Sequence, residues 1–255
     1  VVPVAGGYDG ANRLAGEASM DDLGAGWAWL NIGLRHWYVE GSVTVAHETA
    51  EQLRWTRPDH VVVPMASGAM ALAIHRAFGD LVAVGLVPDG PPPALWVVQP
   101  AGCAPVADAF SRGDDEVRPV RPDTIAASLA MGDPPDGPDV LAAARASGGG
   151  VLAVAEGDIA GGQTFLAEHE GIAVEPAGGV VIAAVRALAA DGRVARDTTV
   201  VACVTGGPHE RWTAGRTDAA TGMAPGRVAG TIQPTVPALA AVVREGSGPA
   251  EDPSR

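Results

Sequence analysis

Four short, valine-rich apolar runs constrain the fold of this chain more than any other feature: His60–Pro64, Ala94–Gln99, Val151–Ala155 and Thr199–Thr205. Apolar residues fill both faces of each run, which is the pattern of strands buried on both sides in a parallel sheet. Segments with helical spacing separate them. Residues Glu40–Arg54 carry Val43, Ala46, Ala50 and Leu53 along one face. Residues Ser67–Phe78 follow the first run directly. Asp158–His169 opens on Asp as the expected N-cap and stops at Gly171. Pro176–Ala190 opens with proline in the first turn and stops at Asp191-Gly192. This alternation predicts an α/β fold, an open and mostly parallel sheet flanked by helices. Residues 1–28 read as a remnant of a smaller domain: one strand, Asp9 as a turn or cap, and a short helix. Residues 29–235 read as the large domain and 236–255 as a flexible tail, with loops over 114–123 and 132–139.

Composition narrows the function classes. The chain has 255 residues and a formal net charge of −13. That balance argues against nucleic acid or an anionic membrane as partner, while leaving a local phosphate pocket possible. No apolar run is long enough to span a bilayer, and no secretory signal is expected. The two cysteines, Cys103 and Cys203, lie far apart in apolar surroundings. A disulfide is not expected, and the expected setting is the cytoplasm. The chain contains no lysine, so all 17 basic residues are arginine. Abundant Ala, Gly, Pro, Val and Arg fit a GC-rich bacterium, yet arginine cannot stand in for a lysine amine acting as a nucleophile. The opening Val1-Val2-Pro3-Val4, without an initiator Met, reads as entry in mid-domain.

Two strand ends carry candidate chemistry. The first run passes through Met65-Ala66-Ser67-Gly68-Ala69-Met70 into a helix. Such a turn leaves backbone N–H groups in front of a helix N-terminus, which favours an anion such as phosphate, and Ser67 adds a hydroxyl. An ordinary tight strand-to-helix turn needs the same small residues, and spacing alone leaves both readings open. The last run ends in Val204-Thr205-Gly206-Gly207, with Thr205 placed to face a crevice at the carboxyl edge of the sheet. The histidines lack ligand spacing: His47-Glu48 has no second His four residues on, and no metal is assigned. Trp27, Trp29, Trp37 and Trp55 are expected to pack in the core and at a domain junction.

Further motifs follow one another in order. They are Tyr38-Val39-Glu40-Gly41 before a helix, Val62 to Ala69, Gln99 to Pro105, Thr124 to Pro134, Glu170 to Ala177, and Val204-Thr205-Gly206. As a series, reaching from the start of the chain to about Gly206, they resemble the threonine synthases, which are fold-type II enzymes dependent on pyridoxal 5′-phosphate (PLP). The resemblance implies a tryptophan-synthase-β-like fold with its N-terminal part absent. It places the cofactor phosphate on Ala66, Ser67, Gly68, Ala69 and Met70 and the cofactor ring nitrogen on Thr205. It puts substrate near Tyr38, with Arg35 three residues earlier. The implied reaction is that of a carbon–oxygen lyase, converting O-phospho-L-homoserine to L-threonine and phosphate. The Schiff-base lysine of that reaction lies outside this chain, which therefore holds no catalytic residue of its own. Three departures stand out: Ala66-Ser67-Gly68-Ala69 replaces Gly-Asn-Gly-Gly, Tyr38 replaces an arginine, and Gly207-Pro208 follows the last motif. Two other readings accompany the lyase. One is a non-catalytic relative that binds a ligand or a complete partner subunit. The other is a dehydratase or β-replacement enzyme with an altered amino-acid substrate. The relatives are commonly dimers.

Overall fold

A computed structural model describes residues 2–29, 35–207 and 230–246. The chain divides into two compact units, residues 1–35 with 210–255 and residues 36–209.

In the first unit, α1 (Tyr8–Ser19) opens after Gly7, and Asp9 lies in its first turn instead of capping it. Val4 forms a single parallel bridge with Ile232. The region read as a flexible tail contains a helix, α9 (Val236–Gly246), and residues beyond 246 lie outside the described residues. Its first turn sets Val236 and Pro237 ahead of Ala238, Leu239 and Ala240, an opening that proline favours.

The second unit is built on a four-stranded parallel sheet: β1 (His60–Pro64), β2 (Ala94–Pro100), β3 (Gly150–Val154) and β4 (Val200–Ala202). The strand order is β3-β2-β1-β4, and every pairing is parallel. Side chains alternate between two apolar layers, as the pleat requires. Val61, Val63, Leu95, Val97 and Val151 face one layer. Val62, Trp96, Val98 and Val154 face the other. The first layer is covered by α3 (Thr44–Gln52), α4 (Ala69–Ala83), α5 (Pro105–Arg112) and α6 (Gly137–Ala146). The second is covered by α7 (Glu156–Glu170) and α8 (Pro176–Ala190). Helices on both faces explain why the four strands are apolar apart from His60 and Gln99.

The single helix expected over Glu40–Arg54 is two helices. Here α2 (Arg35–Gly41) ends at a glycine, and α3 starts at Thr44, whose hydroxyl donates to the Gly41 carbonyl at 2.9 Å. Helix α7 starts earlier than expected, with Ala155 as N-cap and Asp158 in its first turn. It does stop at Gly171, in left-handed conformation at φ 68°. Helices α7 and α8 cross where Gly162 meets Gly179. A Cβ on Gly162 would run into the Gly179 carbonyl, and one on Gly179 would sit 2.7 Å from the Gln163 side chain. The tryptophans depart from the core expectation: Trp27, Trp37 and Trp55 are exposed. Trp27 stacks on Trp29 with ring centroids 5.4 Å apart. Cys103 and Cys203 are buried and form no disulfide. Among the described residues, no helix is long and apolar enough to cross a membrane.

Candidate functional site at the carboxyl edge of the sheet

Strand order fixes where a ligand can sit. From β1 the chain moves outward through β2 to β3, then returns to the other side of β1 as β4. The chain leaves β1 through α4 on one face and reaches β4 from α8 on the other, so the strand order reverses between β1 and β4, where a crevice is expected at the strand ends. The two segments singled out from sequence leave these neighbouring strands at the same edge.

On the β1 side, the Met65 N–H donates to the Val98 carbonyl at 2.9 Å, so the chain stays on the sheet until Ala66. It then turns into α4 through Gly68, the N-cap, at φ 103°. Gly68 is the one residue of this turn with positive φ; Ala66 and Ala69 have ordinary backbone angles. The alanines therefore carry no backbone strain, and glycine stands where only glycine fits. A Cβ on Gly68 would also lie 2.7 Å from Val140 Cγ2 and 3.0 Å from Asp136 Cβ. The Ser67 hydroxyl accepts from the Ala69 N–H at 3.3 Å, and the Ser67 carbonyl accepts from the Asp136 N–H at 3.3 Å. The N–H groups of Gly68, Met70 and Ala71 have no partner among the described residues. Together with the dipole of a 15-residue helix, they form an anion-binding arrangement.

On the β4 side, the Cys203 N–H donates to the Val62 carbonyl at 2.9 Å, and Val204 and Thr205 then emerge exposed. The Thr205 hydroxyl makes no hydrogen bond among the described residues. Gly206 is held against Glu175: its carbonyl accepts from the Glu175 N–H at 3.1 Å, and a Cβ would press into the Glu175 carboxylate. Glu175 also accepts from the Ser128 hydroxyl at 3.2 Å. Burial pushes the Cys203 thiol, two residues before Thr205, up to about 11.

Two further residues complete this edge, and neither was singled out from sequence. Glu156, in the first turn after β3, accepts from the Gly102 N–H (3.0 Å), the Thr124 hydroxyl (3.1 Å) and the Ile125 N–H (3.1 Å). One carboxylate thereby ties two loops to the end of the sheet. Gln99, fully buried at the end of β2, accepts from the Val106 and Ala107 N–H groups at 3.0 and 3.1 Å. It caps α5 from a distance, which is the physical content of the Gln-Pro-Ala-Gly-Cys-Ala-Pro motif. An acidic residue in the first helical turn after an apolar strand was a visible signal for Glu156; Gln99 opens a motif visible in the sequence, but nothing there marked its buried capping role. Arg35 and Tyr38 lie on α2, and their side-chain positions lie outside what the structure describes.

Residues 1–206 match the family of pyridoxal-phosphate dependent enzymes. The chain belongs to that family. The threonine synthase of Methanocaldococcus jannaschii is 31% identical over 207 residues, covering 81% of this chain and 50% of the relative. That of Methanosarcina acetivorans is 30% identical with the same coverage. The diaminopropionate ammonia lyase of Escherichia coli shares the fold at a TM-score of 0.58 and 24% identity, over 78% of this chain and 54% of that one. The chain thus spans about half the length of the relatives it matches. The cofactor of the family is pyridoxal 5′-phosphate. The residues present fit its two non-covalent anchors: open N–H groups for a phosphate and an open hydroxyl for the ring nitrogen. They do not supply the covalent one, because the chain contains no lysine.

Proposed function

We propose that this chain is the cofactor-anchoring portion of a threonine-synthase-like lyase acting on O-phospho-L-homoserine. The observation that carries the reading is the pairing of three unpartnered N–H groups, at Gly68, Met70 and Ala71, with the open Thr205 hydroxyl across one topological switch point. In this reading the Ser67–Ala71 turn holds the cofactor phosphate, with Ala66 and Ala69 lending only their small size. Thr205 donates to the ring nitrogen. Pyridoxal phosphate, when bound, supplies the electron sink that stabilises a carbanion next to the amino group. Glu156 and Gln99 keep the loops at this edge in place, and Glu175 keeps Gly206, and with it Thr205, at the mouth of the crevice. A lysine from outside residues 1–255 provides the covalent anchor and moves the proton. Arg35 and Tyr38 remain the candidates for the substrate phosphate by resemblance alone, since a tyrosine can donate one hydrogen bond and an arginine carries a charge.

The lysine-free composition favours a second reading, a non-catalytic relative that binds the cofactor or a complete partner subunit. Purification from the native source separates the two. A mass well above 25.7 kDa, with phosphate released from O-phospho-L-homoserine, supports the lyase. A mass of 25.7 kDa with saturable cofactor binding and no phosphate release supports the second reading.

A further inference from the structure

The amino edge of the sheet, at the end opposite Ser67 and Thr205, carries a groove of about 360 Å³. Its walls are prolines: Pro58 just ahead of β1, and Pro88, Pro91 and Pro92 ahead of β2. Their fixed φ stiffens the walls, so the groove is shaped before any ligand arrives. The approach to Pro58 is fixed as well. Arg54 and Trp55 both lie in the left-handed region, at φ 58° and 61°, and the Trp55 N–H is tied to the Ala50 carbonyl at 2.6 Å.

Two opposite charges, Arg57 and Asp59, line this groove. Each is held in place by bonds to the chain, and neither bonds to the other. The Arg57 guanidinium donates to the Pro88 carbonyl at 2.7 Å and the Asp89 carbonyl at 3.3 Å. It lies against Gly90, at φ 149°, where a Cβ would run into Arg57 Nη2. Asp59 Oδ2 accepts from the Thr199 N–H at 2.7 Å. The Asp59 N–H donates to the Thr199 carbonyl at 3.0 Å, and its carbonyl accepts from the Ala94 N–H at 2.8 Å. Asp59 Oδ1 and three of the five guanidinium N–H groups of Arg57 have no partner among the described residues. Clamping of the loops accounts for the bonds these two residues make. It does not account for opposite charges left open to one proline-walled groove.

We infer that this groove binds a free α-amino acid with an apolar side chain. The carboxylate sits on Arg57, the ammonium on Asp59, and the side chain between the prolines. A free amino acid carries both charges on one carbon and satisfies both residues at once; a peptide terminus or a simple ion brings only one. The inference rests on the groove alone and is independent of the reaction proposed above.

Calorimetric titration with L-phenylalanine and L-leucine, on the protein in the length its native source makes, tests it. Saturable binding with a Kd of about 1 mM or tighter is expected for at least one of them. Phenethylamine and 3-phenylpropanoate, each lacking one charge, should bind about tenfold more weakly than L-phenylalanine, or 4-methylpentanoate more weakly than L-leucine. Asp59→Asn keeps an oxygen that accepts from Thr199 and loses the charge, so it should weaken binding about tenfold and move the melting temperature by about 2 °C or less. Absence of saturation with either amino acid overturns the proposal. So does equal binding of the one-charge analogues, or unchanged binding in Asp59→Asn, which would put the amino acid elsewhere on the protein.

Discussion

Replacing Gly68 by alanine is expected to destabilise the chain more than any change at its neighbours in the same turn. Two effects add. Gly68 has φ 103° and ψ −13°, where a side chain costs about 1–3 kcal/mol. The added Cβ would also sit 2.7 Å from Val140 Cγ2, inside the apolar layer that packs α4 against α6. Overpacking of that kind costs about 1–3 kcal/mol. The sum, about 2–6 kcal/mol, is a large fraction of a domain stability of about 5–15 kcal/mol. The reverse changes, Ala66→Gly and Ala69→Gly, act at residues without positive φ and cost about 1 kcal/mol or less, through the unfolded chain. Urea unfolding of the three variants, followed by circular dichroism, reads these differences as shifts in midpoint. A Gly68→Ala midpoint equal to that of the Ala66→Gly control would refute the reasoning. It would mean that the turn adapts and that the glycine is not required by its conformation.

Other consequences follow from individual contacts. Glu156→Ala removes the acceptor of three hydrogen bonds and should cost about 2–3 kcal/mol, with faster amide exchange at Gly102 and Ile125. Gly162→Ala improves helix propensity by about 1 kcal/mol yet should lower the melting temperature, because the new Cβ meets the Gly179 carbonyl where α7 and α8 touch. Cys203, raised by burial from 9.0 to about 11, should resist alkylation at pH 8 in the folded chain. Its unfolded thiol ionises first, so stability should fall between pH 9 and 11, and Cys203→Ala should flatten that part of the curve. Thr205→Val should leave stability within about 0.5 kcal/mol while weakening pyridoxal phosphate binding about 3- to 10-fold, as read by fluorescence titration.

Much of the sheet was legible from the chain alone, for a physical reason. Strand β1 spans His60–Pro64 and helix α8 spans Pro176–Ala190, both as read from sequence, because each has unbroken apolar patterning and a sharp stop. The run Thr199–Thr205 pairs with β1 only over Val200–Ala202, and Val204 and Thr205 are exposed beyond the paired residues. Helices α5 and α6 escaped notice. One is eight residues long and is capped by Gln99 across a turn. The other begins with Gly137-Pro138, which reads as a loop until the proline is seen to occupy the first turn. The tryptophans mislead because aromatic bulk signals burial only on average, and Trp37 is 68% exposed. At the site, the turn Ala66–Met70 and Thr205 were visible as strand-end motifs, whereas Glu156 and Glu175 act through contacts 31–54 residues away in sequence. Their positions were visible locally, but the partners of such contacts were not.

The central claim is that residues 67–71 and Thr205 hold the cofactor without a covalent link in this chain. Amide chemical shifts of the isotopically labelled 255-residue chain, recorded during titration with pyridoxal 5′-phosphate, test it most directly. Saturable shifts are expected at the Gly68, Met70 and Ala71 amides, weakened in Thr205→Val, with no internal residue gaining mass after borohydride reduction. Saturation without movement of those three amides, or a reduced adduct on an internal residue, would contradict it.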